Sequence, residues 1–185
     1  MSKKILIVIL AVVVIVGFYG MSTYNGLVTL NVASDTQWKQ VETQYQRRFD
    51  LIPNLVESVK GTMKQETAVF TAIADARTKY SGAVTANEKA AAATQVEGAL
   101  GRLLVITENY PTLKSSDTVT SLMSQLEGTE NRISVERMRF NQSVQDYNLK
   151  VMRFPSSIVA SVFGFAERQY FNAAPGTETA PAVKF

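Results

Sequence analysis

The sequence contains neither cysteine nor histidine among its 185 residues. Without cysteine there is no disulfide bond, no thiolate metal site and no cysteine nucleophile. Without histidine the chain lacks the commonest near-neutral general base and the commonest nitrogen ligand for transition metals, and a di-iron bundle, which needs Glu-x-x-His motifs, is excluded. No G-x-S-x-G, S-x-x-K or phosphate-binding glycine loop is present. We therefore predict a protein that is not an enzyme, with no catalytic residues, no cofactor and no metal site.

The net charge of +3 is small, and Lys3 and Lys4 supply two of these charges. Along the rest of the chain acidic and basic residues are interleaved, as between Glu127 and Arg139. This pattern is typical of a solvated helix face. It predicts no nucleic-acid partner.

An uncharged apolar run from Ile5 to Met21 reads ILIVILAVVVIVGFYGM. At 1.5 Å per residue the run spans about 25 Å, so flanking residues must help it to cross a bilayer. We predict a basic flank at 1–4 and a transmembrane helix at 5–23, with the flanking residues Lys3, Lys4, Tyr19 and Tyr24. The alternatives are a cleaved signal peptide, which normally ends its apolar stretch sooner at an A-x-A-like site, and a buried core helix.

The lysines before the apolar run predict the orientation of the anchor. By the positive-inside rule they place the N-terminus in the cytoplasm and the following domain outside it.

Residues 24–154 are predicted to form a soluble helical bundle. Apolar residues recur at spacings of three and four from Leu27 to Ile52, with Ser34 filling the one gap, which makes one helical stripe. Asp50 stands three residues before Pro53, so a second helix is predicted to begin at 51–54. The fold class is therefore all-α, an elongated antiparallel four-helix bundle or coiled coil with an N-terminal transmembrane helix.

Two further helices complete this prediction. Thr85 and Glu88 have the spacing of a capping box and start the third helix, which Pro111 ends. The fourth helix begins near Asp117, ends at Pro155 and carries a seven-residue apolar repeat: Val119, Leu126, Ile133, Phe140, Tyr147 and Phe154.

Residues 155–171 predict a short amphipathic helix, with Gly164 as its stop. It has two possible locations, against the end of the bundle or on the bilayer surface. We favour the bundle, because the segment lacks the basic polar face of an interfacial helix. Residues 172–185 are rich in proline, alanine and threonine and are predicted to be a disordered tail.

The most informative polar positions flank the predicted core. Glu130 and Arg137 lie one heptad apart, four residues after core positions of the fourth helix. Arg48 on the first helix and Glu108 at the end of the third offer opposite charges. We predict that Arg48, Glu108, Glu130 and Arg137 form a polar layer that fixes helix register, with a ligand site as the alternative.

Four ordered motifs carry a family resemblance: YNGLVTL from Tyr24, QRRFDLIPNLVESVKG from Gln46, ENYPTLK from Glu108 and GTENRISVERMRFNQSVQDYN from Gly128. Together they resemble the bacterial LemA family over nearly the whole chain. The resemblance implies a membrane anchor followed by an elongated helical bundle, located in the bacterial cytoplasmic (inner) membrane. It brings no assigned catalytic or ligand-binding residue.

Three functions are compatible with these features. The first is a non-enzymatic scaffold at the cell envelope that self-assembles into a homo-oligomer, with the lipid bilayer as its other partner. The second is an adaptor for another membrane or envelope protein, such as a membrane protease or an envelope stress system. The third is a small-molecule sensor.

Overall fold

The computed structural model describes residues 3–63 and 65–171, and these form six α-helices and no β-strand. The predicted all-α class is confirmed for this part of the chain, whereas the predicted tail at 172–185 lies outside the described residues. The described residues of the chain divide into two compact units, residues 3–39 with 138–170 and residues 40–137 with Phe171. The helices are α1 (Lys3–Lys60), α2 (Thr67–Gly82), α3 (Ala86–Thr107), α4 (Pro111–Lys114), α5 (Asp117–Met152) and α6 (Ser156–Phe163).

Helix α1 runs without a break through Pro53, so the prediction of a second helix starting at 51–54 is wrong. Asp50 does not cap a new helix, because its carboxylate accepts a hydrogen bond of 2.9 Å from the Gln46 amide one turn earlier. The apolar stripe also continues in phase past the proline: Phe49, Ile52, Leu55 and Val59 are all buried. The free energy gained by burying this stripe on one continuous helix exceeds the cost of a proline inside the helix.

In the unit of residues 40–137, α1 packs against α2, α3 and α5. The Tyr80 ring of α2 lies 4.3 Å from the Phe49 ring and 5.8 Å from the Tyr45 ring, measured between centroids. Helix α3 begins with the predicted capping box: the Thr85 hydroxyl accepts from the Glu88 backbone N–H, and the Glu88 carboxylate accepts from the Thr85 N–H. These backbone donors hold the pKa of Glu88 below its usual value.

In the unit of residues 3–39 and 138–170, α1 and α5 run antiparallel. Trp38 packs edge-on against Phe140 at 5.3 Å between ring centroids, and Ser34 donates to the Ser143 carbonyl at 3.1 Å. Further back on α1, Leu27 belongs to a buried cluster with Tyr147, Val151 and Ala160. Each step back along α1 is thus matched by a step forward along α5.

The heptad repeat of α5 is buried at Val119, Ile133, Phe140 and Tyr147 and half-buried at Leu126. Its last predicted member, Phe154, is 81% exposed, so this position is wrong as part of the stripe. The helix ends at Met152, where the Ser156 hydroxyl donates to the carbonyls of Lys150 and Arg153. The chain turns there, and Phe154 leaves the helical register.

The segment after α6 is tied to both long helices. Gly164 adopts a left-handed conformation, φ 73°, and ends α6 as predicted. Asn148 of α5 exchanges two hydrogen bonds with the backbone of Arg168, and the Arg168 guanidinium reaches Asn31 and Asp35 of α1. These contacts fix α6 and the segment up to residue 170 on this unit.

Candidate functional site

The site is centred on Arg48, whose side chain is 2% exposed although it carries a charge. Helix α1 directs it inward because Arg48 lies one residue from core Phe49 and three from core Tyr45. Its guanidinium forms an ion pair with Glu130 of α5 and reaches Glu97 of α3 at 4.0 Å. The buried cation therefore joins three helices through two carboxylates.

Arg137 is the second cation of this cluster. Its Nε donates a 3.2 Å hydrogen bond to the Tyr45 hydroxyl, and its Nη2 lies 3.5 Å from the Glu97 carboxylate. Its guanidinium also stacks over the Tyr45 ring at 5.6 Å and the Phe171 ring at 4.6 Å from the centroids. Glu97 thus bridges two arginines, and the two cations are balanced by two carboxylates.

Burial changes the acid–base behaviour of the cluster. Loss of water lowers the pKa of Arg48 to about 10, the Glu97 charge opposes that shift, and the Arg137 charge adds to it. Burial likewise raises the pKa of Tyr45, and Arg137 partly offsets the rise. At neutral pH Arg48 therefore stays charged.

Sequence reasoning missed Glu97 and named Glu108 instead. The two residues are eleven apart on α3, which is three helical turns, so they lie on nearly the same face about 16 Å apart along the axis. The structure brings Arg48, Glu130 and Arg137 together. It places Glu108 away from them, exposed, where it lines a second cavity with Leu113 and Val119.

A cavity of about 330 Å³ adjoins the charge cluster. Its charged lining residues are Arg48, Glu97, Glu127 and Glu130. Its walls are apolar and come from α3 and α5: Leu100, Leu104, Met123 and Leu126. The Arg48 and Glu97 groups that border this space are held in ion pairs, Arg48 with Glu130 and Glu97 with Arg137.

A second cavity, of about 230 Å³, continues from the first. Leu104 and Met123 line both, so one apolar groove runs between α3 and α5. We call it the α3–α5 groove. Leu104 is 47% exposed at its centre, and this accessibility makes the groove a candidate contact surface.

The predicted membrane-flanking residues lie along the first part of α1, in an apolar stretch whose side chains are exposed. Lys3 and Lys4 occupy the first turn, and Tyr19 and Tyr24 follow at the other end. The Tyr24 ring packs on Phe163 and Phe165 at 4.8 and 5.7 Å between centroids. By length and composition α1 can cross a membrane.

Residues 3–63 and 65–171 contain no group of three or more acidic side chains placed to hold an ion. The charge cluster combines only guanidinium, carboxylate and phenol groups. Such a set can hold helices in register, or it can bind a charged partner group at the end of the groove.

Two magnetosome proteins are similar to this chain. Magnetosome protein MamQ 2 of Paramagnetospirillum magneticum is 26% identical over 201 residues, covering 94% of this chain and 74% of the relative. Magnetosome protein MamQ of Magnetospirillum gryphiswaldense is 28% identical over 182 residues, covering 84% and 67%. The sequence profile of the LemA family matches residues 37–185. Since that match covers most of the sequence and includes all four residues of the charge cluster, the chain belongs to the LemA family.

Proposed function

We propose that this protein is a non-enzymatic scaffold, anchored in the cytoplasmic membrane by the first part of α1, whose copies assemble through the α3–α5 groove. The groove is the observation that carries the proposal, because it exposes apolar surface from two helices beside a cluster of fixed charges. Anchored copies share one plane, and this confinement raises their effective concentration. The relatives are magnetosome proteins by name. The proposed location of this chain is the cytoplasmic membrane and does not follow from those names.

In the proposed arrangement the N-terminus is cytoplasmic and the bundle lies outside the cytoplasm. The support is the charge asymmetry of the anchor, since Lys3 and Lys4 precede it and Lys39 is the first basic residue after it. A single cysteine at Val84, in a chain that otherwise has none, tests this in spheroplasts with a membrane-impermeant maleimide. Labelling of intact spheroplasts supports the orientation, and labelling only after lysis contradicts it.

Assembly is tested by the mass of the full-length protein in mild detergent, measured by light scattering. We expect an oligomer for the natural sequence and monomers for Leu104→Glu, which puts a charge at the centre of the groove. Val84→Glu is the matched control, because Val84 is 87% exposed in the loop before α3 and outside the groove. Unchanged assembly in Leu104→Glu contradicts the groove as the contact.

If the natural protein is monomeric in this experiment, the alternative function, an adaptor for another membrane or envelope protein, is favoured. Crosslinking in native membranes, from a photoreactive residue at position 104, then identifies what covers the groove. Crosslinks to a membrane protease or an envelope stress protein support the adaptor, whereas crosslinks between copies of this chain support the scaffold.

A second candidate function is recognition of a small molecule in the first cavity. The observation that favours it is the lining of this cavity, in which the charged groups of Arg48, Glu97 and Glu130 lie beside apolar walls. Native mass spectrometry of the protein released from its own membranes tests it. A bound molecule of constant mass that Met123→Trp expels supports the sensor, and a bare chain contradicts it.

A further inference from the structure

Helix α6 leaves an apolar face without a partner in the described residues. Ile158 is 56% and Val162 74% exposed, and their spacing of four places them on one face of α6. Phe154, in the turn before α6, is also exposed. From Phe154 to Ala166 the sequence contains no charged residue. Such a face is costly to leave in water.

The opposite face of α6 is fixed against α1 and α5. Ala160 is buried with Leu27, Tyr147 and Val151, and Val159 packs at the edge of this cluster. The Tyr147 hydroxyl donates to the Ala166 carbonyl at 3.0 Å. The exposed face therefore points away from the unit in a defined direction and cannot turn inward without breaking these contacts.

The position of α6 along α1 indicates what covers the exposed apolar face of α6. Phe163 and Phe165 pack on Tyr24, which directly follows the apolar stretch at 5–23. Beside them, the Lys150 Cε atom lies 3.8 Å from where a Cβ on Gly26 would be, so a cation sits just past the end of that stretch. The neighbouring Arg153 is exposed. A tyrosine ring at this level is typical of either membrane interface, and long basic side chains beside it can extend to the headgroups.

We infer that α6 lies in the headgroup region of the bilayer, with Phe154, Ile158 and Val162 inserted at the boundary of the acyl chains and Lys150 and Arg153 near anionic headgroups. This inference rests on the proposed membrane anchor. The missing basic face of α6 is no obstacle, because an isolated interfacial helix needs electrostatic attraction to bind, whereas α6 is delivered to the surface by α1.

The test uses the full-length protein in nanodiscs of phosphatidylethanolamine and phosphatidylglycerol. Because the chain has no cysteine, a nitroxide label can be attached to a single introduced cysteine. Two variants, Val162→Cys and Ile158→Cys, report on α6. Two others serve as references, Val13→Cys in the anchor and Val84→Cys in the other unit. Collision with oxygen, which concentrates in lipid, is compared with collision with a water-soluble nickel chelate.

Labels at 162 and 158 are expected to collide mainly with oxygen, as the label at 13 does, while the label at 84 collides mainly with the chelate. If the labels at 162 and 158 collide mainly with the chelate, as the label at 84 does, while the label at 13 collides mainly with oxygen, the interfacial position of α6 is overturned and the membrane anchor is supported. If 13 also reports water, the anchor itself fails. Shielding of 162 from both reagents means that protein covers the face, which also overturns the inference.

Discussion

Arg48 on α1 and Glu130 on α5 form an ion pair in which the arginine is buried and the glutamate is 36% exposed. The asymmetry matters because the arginine cannot be rehydrated where it is, whereas the glutamate can. Removing the carboxylate therefore strands a buried charge, while removing the arginine leaves anions that water can reach. Loss of the Glu130 carboxylate should therefore destabilise the fold more than loss of the Arg48 guanidinium.

Replacing Glu130 by Gln is expected to lower the free energy of unfolding by about 1–3 kcal/mol, because Arg48 then keeps only the 4.0 Å contact with Glu97. The partial exposure of Glu130 keeps the figure below that of a fully buried pair. Urea unfolding of the full-length protein in mild detergent, followed by circular dichroism, measures it. Glu108→Gln is the control and should change stability by less than about 0.5 kcal/mol, since Glu108 is exposed and apart from the cluster. Equal losses would contradict a polar layer centred on Arg48.

The substitutions Glu97→Gln and Glu130→Gln are expected to be non-additive, because both carboxylates serve Arg48. The double variant should be less stable than the sum of the two single losses by about 0.5–3 kcal/mol, since Arg48 then faces Arg137 with no carboxylate between them. The same urea measurement on four proteins completes the cycle. Additive losses would show that the two glutamates act independently.

Features set by nearby residues were predictable from the sequence. The capping box of Thr85 and Glu88 spans four residues, and the end of α6 at Gly164 depends on one residue's conformation. The heptads of α5 also predicted which face is buried, from Val119 to Tyr147. In each case the physical cause lies within one or two helical turns.

Contacts that depend on how far along its axis one helix meets another were not predictable from the sequence. The sequence indicated that a carboxylate of the third helix meets Arg48, but not its position along the helix, so Glu108 was named and Glu97 was missed. The break at Pro53 was predicted from a local pattern that tertiary burial of Ile52 and Leu55 overrides. The bonds between Arg168 and α1 join residues more than a hundred positions apart, and no local signal encodes them.

Tyr80 is expected to make stability fall at alkaline pH. Burial raises its pKa to about 12, and the nearby Glu42 charge adds to the rise. Between pH 10 and 12 the unfolded chain loses this proton while the folded chain keeps it, so the stabilisation is complete below pH 10 and disappears as pH rises through 12.

Tyr80→Phe keeps the ring contact with Phe49 and removes the titrating hydroxyl. The natural protein should lose about 2–3 kcal/mol more than this variant between pH 10 and 12, judged from the two pKa values. Urea unfolding at both pH values measures the difference, with Tyr110→Phe as the control. Parallel losses in the natural protein and Tyr80→Phe would rule out Tyr80 as the cause.

Asn148 is expected to be the residue on which the segment after α6 depends most. It is buried, its Nδ2 donates to the Arg168 carbonyl at 2.9 Å, and its Oδ1 accepts from the Arg168 N–H at 2.8 Å. Asn148→Asp keeps the acceptor but turns a second carboxylate oxygen toward the carbonyl. At neutral pH the variant should be less stable by about 2–4 kcal/mol, because a buried charge then faces an acceptor.

Acid should restore part of that loss, since a protonated aspartate can again donate to the Arg168 carbonyl. Burial raises the folded-state pKa of the new carboxyl above its unfolded value of about 3.9, so the bond is present below that pH and is lost as pH rises through the folded-state pKa. Urea unfolding at acidic and neutral pH compares Asn148→Asp with Gln145→Glu, which adds the same charge at an exposed position of α5. A deficit in Asn148→Asp that is the same at both pH values would contradict the paired bonds, because a packing defect does not titrate.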